Sequence, residues 1–237
     1  MHLKILKPSG NYLKRKAYQY LILVVLCLFV FVAIFLTTDP ISPLYINLGR
    51  YDTARAVAMT VPLIAVLVFY RLHRGYKQGF EGEKQVTKVL SSLSDDYFLI
   101  NDVQLVAGKR SNIDHIVLGP TGIFVLETKN HSGKIICYED SWKRVGQNPF
   151  AQARANASRV YKVIKASGIF ESKLWIQAVV VFANKKVELD RRKASSNVEV
   201  LKIEELTNYI TQETRRLSAH EIESTSKEIL NAHASKT

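Results

Sequence analysis

A chain of 237 residues that is 47% apolar, 10% aromatic and 23% charged has the means to bury a hydrophobic core, which excludes a wholly disordered or collagen-like protein. Two widely separated cysteines, Cys27 and Cys137, exclude a disulfide framework and a paired-cysteine zinc motif. The net charge is +12, and residues 1–80 contribute +8 of it, from ten Lys and Arg against two Asp. The basic excess therefore belongs mainly to the N-terminal third.

Two apolar segments in that third predict a membrane anchor. Twenty-two uncharged residues separate Lys16 from Asp39, enough helix to cross about 30 Å of hydrocarbon, so we predict a transmembrane helix over about residues 18–38. A shorter apolar stretch around Pro62 predicts a second span over about residues 54–72. A cleaved signal peptide is the alternative, but its apolar region is usually about 7 to 15 residues long and ends at small residues.

Basic residues flank the two predicted spans on one side. Five precede the first span, three (Arg71, Arg74 and Lys77) follow the second, and the loop between them is nearly neutral. The positive-inside rule then places both ends in the cytoplasm. We therefore expect a multi-pass protein of the cell membrane, held by the lipid bilayer, with its remaining residues in the cytoplasm. Topology explains these basic flanks better than nucleic-acid binding does.

The residues after the second span predict a change to a globular domain. Gly75 and Gly79 punctuate the chain, and residues 80–93 then show apolar side chains at helical spacing. Glu83 falls on the same stripe, either as a carboxylate at the edge of the stripe that reaches solvent or as an inward functional group. We divide the chain into an anchor at 1–75, a globular domain at 76–217 and a C-terminal helical tail at 218–237, which Ser218 and Glu221 open as a capping box.

A β-hairpin is predicted in the middle of the chain. Residues 113–118 and 123–128 are β-rich and flank the turn Gly-Pro-Thr-Gly at 119–122. With a two-residue loop, position i faces position 241 − i, which sets Asp114 opposite Glu127. Side chains alternate along a strand, so Glu127 and Lys129 share a face. His115 lies on the other face and is expected to be structural.

The remaining elements complete an α/β pattern. Asn148 and Pro149 predict the start of a helix that runs to about residue 165, with Gln152, Asn156 and Arg159 on one face. We predict a buried central strand over residues 174–183, a solvated loop over 185–193, a short strand over 198–201 and a helix over 203–216. This order predicts an α/β core with a mixed sheet.

Asp114, Glu127 and Lys129 put two carboxylates and one amine around a single hairpin. Neighbouring carboxylates repel, and a hard divalent cation, Mg²⁺ or Mn²⁺, relieves that repulsion by binding both through oxygen. The main-chain carbonyl of Thr128 would supply a third ligand. Lys129 would polarise an attacking water and offset charge on a phosphate. This combination suits the hydrolysis of a phosphodiester.

Several motifs stand in a specific order along residues 75–183. They are Gly79-Phe80-Glu81-Gly82-Glu83, Ile113-Asp114-His115, Gly119-Pro120-Thr121-Gly122-Ile123, Glu127-Thr128-Lys129-Asn130, Gly133, Trp142, and Asn148-Pro149 with Gln152. In order and spacing they resemble the nuclease-related domain family, NERD, of the PD-(D/E)xK nuclease superfamily. The resemblance implies a restriction-endonuclease-like αβββαβ core. Ile113 stands where the superfamily name has Pro, at a position that does not touch the metal.

The resemblance also implies roles for individual residues. Asp114 and Glu127 would be metal ligands and Lys129 the catalytic lysine. Glu83 would be the additional acid that such nucleases often bring to the metal site from the first helix. Gln152 would be an auxiliary polar contact to metal, water or phosphate.

Residues 141–170 contain six basic side chains and no acidic one. We take Lys143, Arg144, Arg154 and Arg159 as candidate contacts to a phosphate backbone, against the alternative of an ordinary basic surface. The leading hypothesis is a membrane-anchored, Mg²⁺- or Mn²⁺-dependent nuclease acting on nucleic acid, with DNA as the first candidate. The alternatives are a catalytically silent nuclease fold that binds nucleic acid or a protein at the membrane, and a purely structural membrane protein.

Overall fold

The protein forms two compact units. The computed structural model describes residues 3–38, 42–44, 52–105, 112–138, 141–143, 148–170, 174–193, 197–212, 214 and 216–235. One unit, which we call the globular unit, comprises Met1–Gly10 and Glu81–Thr237. The other, the helical unit, comprises Asn11–Phe80.

The helical unit contains both predicted spans. Helix α1 covers Tyr12–Thr38, and helix α2 covers Asp52–Leu90 and contains Pro62. By length and composition both helices are apolar enough to cross a membrane. Large apolar side chains such as Phe29 and Leu67 are exposed on these helices. Between the two helices, the Tyr20 ring stacks on Phe69 and Tyr76.

Helix α2 differs from the prediction because it continues without interruption through Gly75 and Gly79. The predicted boundary between anchor and globular domain therefore falls inside a helix, and the compact units divide after Phe80. A glycine within a helix costs about 1 kcal/mol relative to alanine. The complete burial of Val86 and Leu90 against the sheet offsets that cost.

The globular unit is built on a mixed sheet of six strands, as the α/β prediction requires. Their order is β1-β2-β3-β4-β7-β9. Strands β2, β3 and β4 form an antiparallel meander, and β1, β7 and β9 extend it by parallel pairing. The strands span Lys4–Lys7 (β1), Phe98–Val103 (β2), Ile113–Gly119 (β3), Gly122–Lys129 (β4), Ile176–Phe182 (β7) and Val198–Lys202 (β9).

Strand β1 lies in the segment that the sequence assigned to the anchor. It pairs in parallel with β2, and the Lys7 side chain donates hydrogen bonds to the main-chain oxygens of Asn101 and Asp102 at 2.9 and 2.6 Å. A four-residue edge strand carries little signal of its own, because its partner is more than ninety positions away. The residues before α1 are therefore part of the globular unit.

Helices cover both faces of the sheet. On one face, Val86 and Leu90 of α2 pack with Leu99, Phe124 and Leu126. On the other face, helix α3, Pro149–Ser167, packs through Val160 and Ile164. Its N-cap is Asn148, whose side chain accepts from the main-chain nitrogens of Phe150 and Ala151, so the predicted helix start is confirmed.

The C-terminal helix is part of the core rather than a tail. Helix α5, Ala219–Ala234, begins at the predicted capping box of Ser218 and Glu221. Its Ile222 and Ile229 are buried in the same cluster as Ile100. The predicted helix at 203–216 is a 3₁₀ turn, Ile203–Glu205, followed by a shorter helix α4, Leu206–Gln212.

A small second sheet corrects the predicted loop at 185–193. Strand β5, Gly133–Tyr138, pairs with β6, Ser141–Lys143, and in parallel with β8, Val187–Lys193. Val187 is buried and Leu189 packs against the same cluster. These two residues alternate with charged ones, which is the period of a half-buried strand. The prediction was wrong because it gave more weight to the charged residues than to this alternation.

Gly82 and Gly75 give a matched test of this packing. A Cβ at Gly82 would lie 2.8 Å from the Asn130 Cβ, whereas Gly75 has nothing within 4 Å. We expect Gly75→Ala to raise the free energy of unfolding by about 1 kcal/mol. We expect the free energy of unfolding of Gly82→Ala to be about 1 to 3 kcal/mol lower than that of Gly75→Ala, because the new methyl group would overpack against Asn130. Thermal or denaturant unfolding of the full chain in detergent measures both, and equal stabilisation by the two variants would contradict the close approach.

Candidate active site

The β3–β4 hairpin places the first two candidate residues side by side. Its pairing runs from Gly119–Gly122 to His115–Leu126 in the predicted register, which is confirmed. One step further, the register sets Asp114 opposite Glu127. There the Asp114 Oδ2 atom accepts a hydrogen bond from the main-chain nitrogen of Thr128 at 2.7 Å. The Asp114 side chain thus bonds to the backbone of β4 where the strand pairing ends.

The main chain of β4 also orients the Thr128 carbonyl. The Lys129 main-chain oxygen accepts from the Ala183 nitrogen at 2.8 Å, on the side of β7. Successive residues of a strand direct their peptide groups to opposite sides. The Thr128 nitrogen bonds toward Asp114, so the Thr128 carbonyl faces the same side as that carboxylate. This orientation is the one that the predicted metal ligand needs.

Glu127 is almost completely buried, at 2% exposure, and both of its carboxylate oxygens are bonded. Oε1 accepts from the Lys129 Nζ at 2.8 Å, and Oε2 accepts from the Asn156 Nδ2 at 3.1 Å. The Lys129 Nζ also donates to the Gln152 Oε1 at 3.0 Å. The Glu-x-Lys pair is therefore held from two directions, by its own strand and by α3.

Helix α3 supplies these polar partners because of its spacing. Gln152 and Asn156 stand four residues apart and therefore lie on the same face, one turn from each other. Asn156 is buried, at 1% exposure, and its Oδ1 accepts from the Arg159 Nη1 at 3.0 Å. The sequence placed Asn156 on this face but gave it no role. An amide among polar residues on a helix face was the available signal.

Glu83 reaches the same region from α2. The neighbouring Gly82 is buried, and a side chain there would meet both Asn130 and the Thr128 methyl group. The absence of that side chain brings α2 close to the end of β4. Glu83 is half-buried, and burial, followed by the negative charges of Asp102 and Glu127, raises its pKa to about 7.

Asp102 is a further acid that the sequence did not predict. The β2–β3 register pairs Asn101 with His115 and Val103 with Ile113, so Asp102 stands opposite Asp114. Its backbone has a φ of 54°, in the left-handed region that non-glycine residues seldom adopt. The Asn112 Nδ2 donates to its Oδ1 at 2.5 Å. The sequence shows Asp102 as a single acid in an apolar run, but it does not show the β2–β3 register that brings Asp102 opposite Asp114.

Burial raises the pKa of the acidic groups, and neighbouring negative charge adds to the shift at Glu83 and Asp114. Burial raises the pKa of Asp114 well above its ordinary value, and the charges of Glu127 and Glu83 raise it further, against the Thr128 hydrogen bond and the Lys129 charge. Burial also raises the pKa of Glu127, and Lys129 opposes this shift. When Glu83, Asp114 and Glu127 are all ionised, their negative charge exceeds the positive charge of Lys129. A divalent cation offsets such an excess.

The residues fit a divalent cation by chemistry and charge. Glu83, Asp114 and Glu127 would each offer carboxylate oxygens to the ion, and Mg²⁺ and Mn²⁺ prefer oxygen ligands. Among the described residues, no three His, Cys, Asp or Glu side chains form a ready cage for an ion. Both carboxylate oxygens of Glu127 already accept hydrogen bonds, from Lys129 and Asn156, and one oxygen of Asp114 accepts from the main-chain nitrogen of Thr128. Ion binding would therefore require an exchange of hydrogen-bond partners.

The other candidate residues are placed as follows. Gln152 contacts Lys129, and Arg159 donates to Asn156, so part of the Arg159 guanidinium is directed into this network. Arg154 is half-buried on α3. The Lys143 side chain and all of Arg144 lie outside the described residues. His115 is buried, its Nδ1 lies 2.6 Å from the Asn101 Oδ1, and burial lowers its pKa to about 3. That environment suits a neutral structural residue.

Comparison with known proteins finds a family match in the middle of the chain. Residues 78–183 match the NERD family, the nuclease-related domain, which confirms the resemblance. The chain is also 36% identical over 122 residues to an uncharacterized protein of Bacillus anthracis, a match that covers 46% of this chain and 53% of that protein. The chain thus spans about half the length of that relative. No solved structure matches significantly. Glu83, Asp114, Glu127, Lys129 and Gln152 all lie within the matched residues.

The raised pKa of Glu83 predicts a pH-dependent stability. The folded-state pKa of about 7 exceeds the ordinary 4.5, so the stabilising effect of the protonated form is complete below pH 4.5 and is lost as the pH rises through 7. As the pH rises from 4.5 to 8 in the presence of a chelator, the free energy of unfolding of Glu83→Gln should fall by roughly 2 kcal/mol less than that of the parent. Glutamine has no carboxyl group to ionise in this range. Denaturant unfolding across this range measures the difference. The control is Glu204→Gln at an exposed carboxylate, and a Glu83→Gln curve parallel to the parent's would contradict the prediction.

Proposed function

We propose that the globular unit is a divalent-metal-dependent nuclease that hydrolyses phosphodiester bonds of nucleic acid, with DNA as the first candidate substrate. The observation that carries the proposal is the 2.8 Å contact of Lys129 with a buried Glu127, which stands opposite Asp114 in the hairpin register and close enough to Glu83 to raise its pKa. This group lies inside the match to the nuclease-related domain. A partly buried amine among carboxylates is suited to chemistry at a phosphate, since the carboxylates attract a cation and the amine attracts the phosphate.

Each residue has a role that follows from its place. Asp114, Glu127 and the Thr128 carbonyl would hold Mg²⁺ or Mn²⁺, with Glu83 as a further acid. The ion supplies Lewis acidity toward the phosphate oxygens. Lys129 offers its amine to an attacking water and to phosphate charge, and Gln152 holds that amine in position at 3.0 Å. Burial excludes bulk water, which strengthens these electrostatic interactions.

Nucleic acid would reach the site beside α3. This helix carries no acidic residue, and its basic residues include Arg154, Arg159, Lys162 and Lys165. We assign Lys143, Arg144, Arg154 and Arg159 to backbone contacts, with Arg159 also bonded to Asn156. Contacts of this kind bind any sequence and weaken with salt. The proposal therefore includes salt-sensitive binding without strong sequence preference.

We further propose that the protein is a multi-pass membrane protein with this nuclease on the cytoplasmic face. Strand β1 before α1 and the residues after Phe80 belong to one folded unit. A folded unit occupies one side of a membrane, so the chain between them crosses an even number of times. Two candidate helices agree with that parity. The basic flanks favour the cytoplasmic side.

Cleavage by the full chain tests the enzymatic proposal. Full-length protein in detergent is needed, because a fragment that begins after the anchor would lack β1. With added Mg²⁺ or Mn²⁺ the parent should cut nucleic acid, and Asp114→Ala and Lys129→Met should each lower the rate by at least about 100-fold. Gel assays with single- and double-stranded DNA and RNA measure the rates.

Asp96→Ala and Lys186→Met serve as matched controls, since both side chains are exposed and outside the site. They should cut like the parent. Equal cleavage by Asp114→Ala would assign the activity to a contaminant. If the parent binds nucleic acid in a salt-sensitive manner but no metal-dependent cleavage occurs, the protein is the catalytically silent binding module.

Labelling from outside the cell tests the membrane topology. Ser42 lies between the two helices and Ser91 lies just after α2. A membrane-impermeant thiol reagent applied to intact cells should label Ser42→Cys and leave Ser91→Cys unlabelled until the cells are opened, with a Cys27→Ser, Cys137→Ser background. Labelling of Ser91→Cys in intact cells would place the nuclease on the opposite face.

A further inference from the structure

We propose that Asn156 is a positioning residue that reserves one oxygen of Glu127 and leaves the other for a metal ion, and that Arg159 acts through Asn156. This inference rests on the proposed function, because it concerns the carboxylate that would bind the metal. It removes Arg159 from the set of purely phosphate-binding residues. It also gives a role to a buried amide that the proposed reaction does not use directly.

The hydrogen bonds of Asn156 fix its orientation. Its Oδ1 accepts from the Arg159 Nη1 at 3.0 Å, and its Nδ2 donates to the Glu127 Oε2 at 3.1 Å. Arginine has donors and no acceptor, and an ionised carboxylate has acceptors and no donor. A flipped amide would lose both bonds, since its nitrogen would face a donor and its oxygen an acceptor. Arg159 therefore dictates that the amide nitrogen points at Glu127.

The two oxygens of Glu127 are consequently not equivalent. Oε2 is held by a buried residue of α3, at 1% exposure, whose own orientation is fixed. Oε1 is held by Lys129, an ammonium on a flexible stem that also bonds to the Gln152 Oε1. When Lys129 leaves Oε1, its bond to Gln152 can persist, whereas the loss of Asn156 would leave Oε2 buried without a donor. Oε1 is thus the oxygen that an ion can take.

This arrangement predicts binding through a single oxygen of Glu127 at a fixed position. Removing a residue that hydrogen-bonds to a metal ligand typically weakens metal binding about 10- to 100-fold. A simple loss of positive charge has the opposite sign, because it strengthens the binding of a cation. The sign of the Arg159 effect therefore separates positioning from plain electrostatics.

Mn²⁺ binding to the full chain in detergent, measured by calorimetry without nucleic acid, tests the inference. Asn156→Ala should weaken Mn²⁺ binding about 10- to 100-fold. Arg159→Ala should weaken it in the same direction but less, and the double variant should match Asn156→Ala alone. The control Lys162→Ala removes an exposed positive charge from the same helix and should leave the affinity unchanged or slightly higher.

Two results would overturn the inference. One is a parental or higher Mn²⁺ affinity in Arg159→Ala, a variant that keeps Asn156 and so reports even if Asn156→Ala unfolds. The other is a double variant whose loss equals the product of the two single losses, which would mean that the residues act separately. Metal uptake that persists in Asp114→Ala would instead defeat the proposed metal site itself. In that case the fault lies in the proposed function and not in the positioning.

Discussion

The burial of the Glu127 carboxylate is the constraint on which the rest of the site depends. An ionised carboxylate in a protein interior is costly unless hydrogen bonds and opposite charge compensate it. Here Lys129 supplies the charge and Asn156 supplies the second donor. Asn156 belongs to α3, so this hydrogen bond requires α3 to pack on the sheet at one position and with one rotation about its axis. Val160 and Ile164, buried against the sheet, fix that placement.

The same acidic neighbourhood links stability to function. Glu83, Asp114 and Glu127 come from a helix and two strands. Burial raises the pKa of each, and neighbouring negative charge raises the pKa of Glu83 and Asp114 further. A fold selected for stability alone would separate these groups. Their convergence supports the proposed cation site, because repulsion among ionised carboxylates becomes attraction when a cation binds between them.

The globular unit is completed by residues from both ends of the helical segment. Strand β1 precedes α1, and its Lys7 bonds to the backbone of β2 at Asn101 and Asp102. The last turns of α2 bring Glu83 to the site and bury Val86 in the core. Truncation at the predicted boundary would therefore remove strand β1 from the six-stranded sheet.

The sequence by itself determined the elements that rest on local rules. The turn at 119–122 fixed the hairpin register, and strand alternation put Glu127 and Lys129 on one face. Asn148 and Pro149 fixed the start of α3 through capping and backbone geometry. The tertiary structure alone decided strand β1, the pairing of β8 with β5, the place of Asp102 opposite Asp114, and the bond from Asn156 to Glu127. Each of these joins residues that are distant along the chain or separated by a loop of unfixed length, and neither spacing nor periodicity encodes which distant partner a strand or side chain will meet.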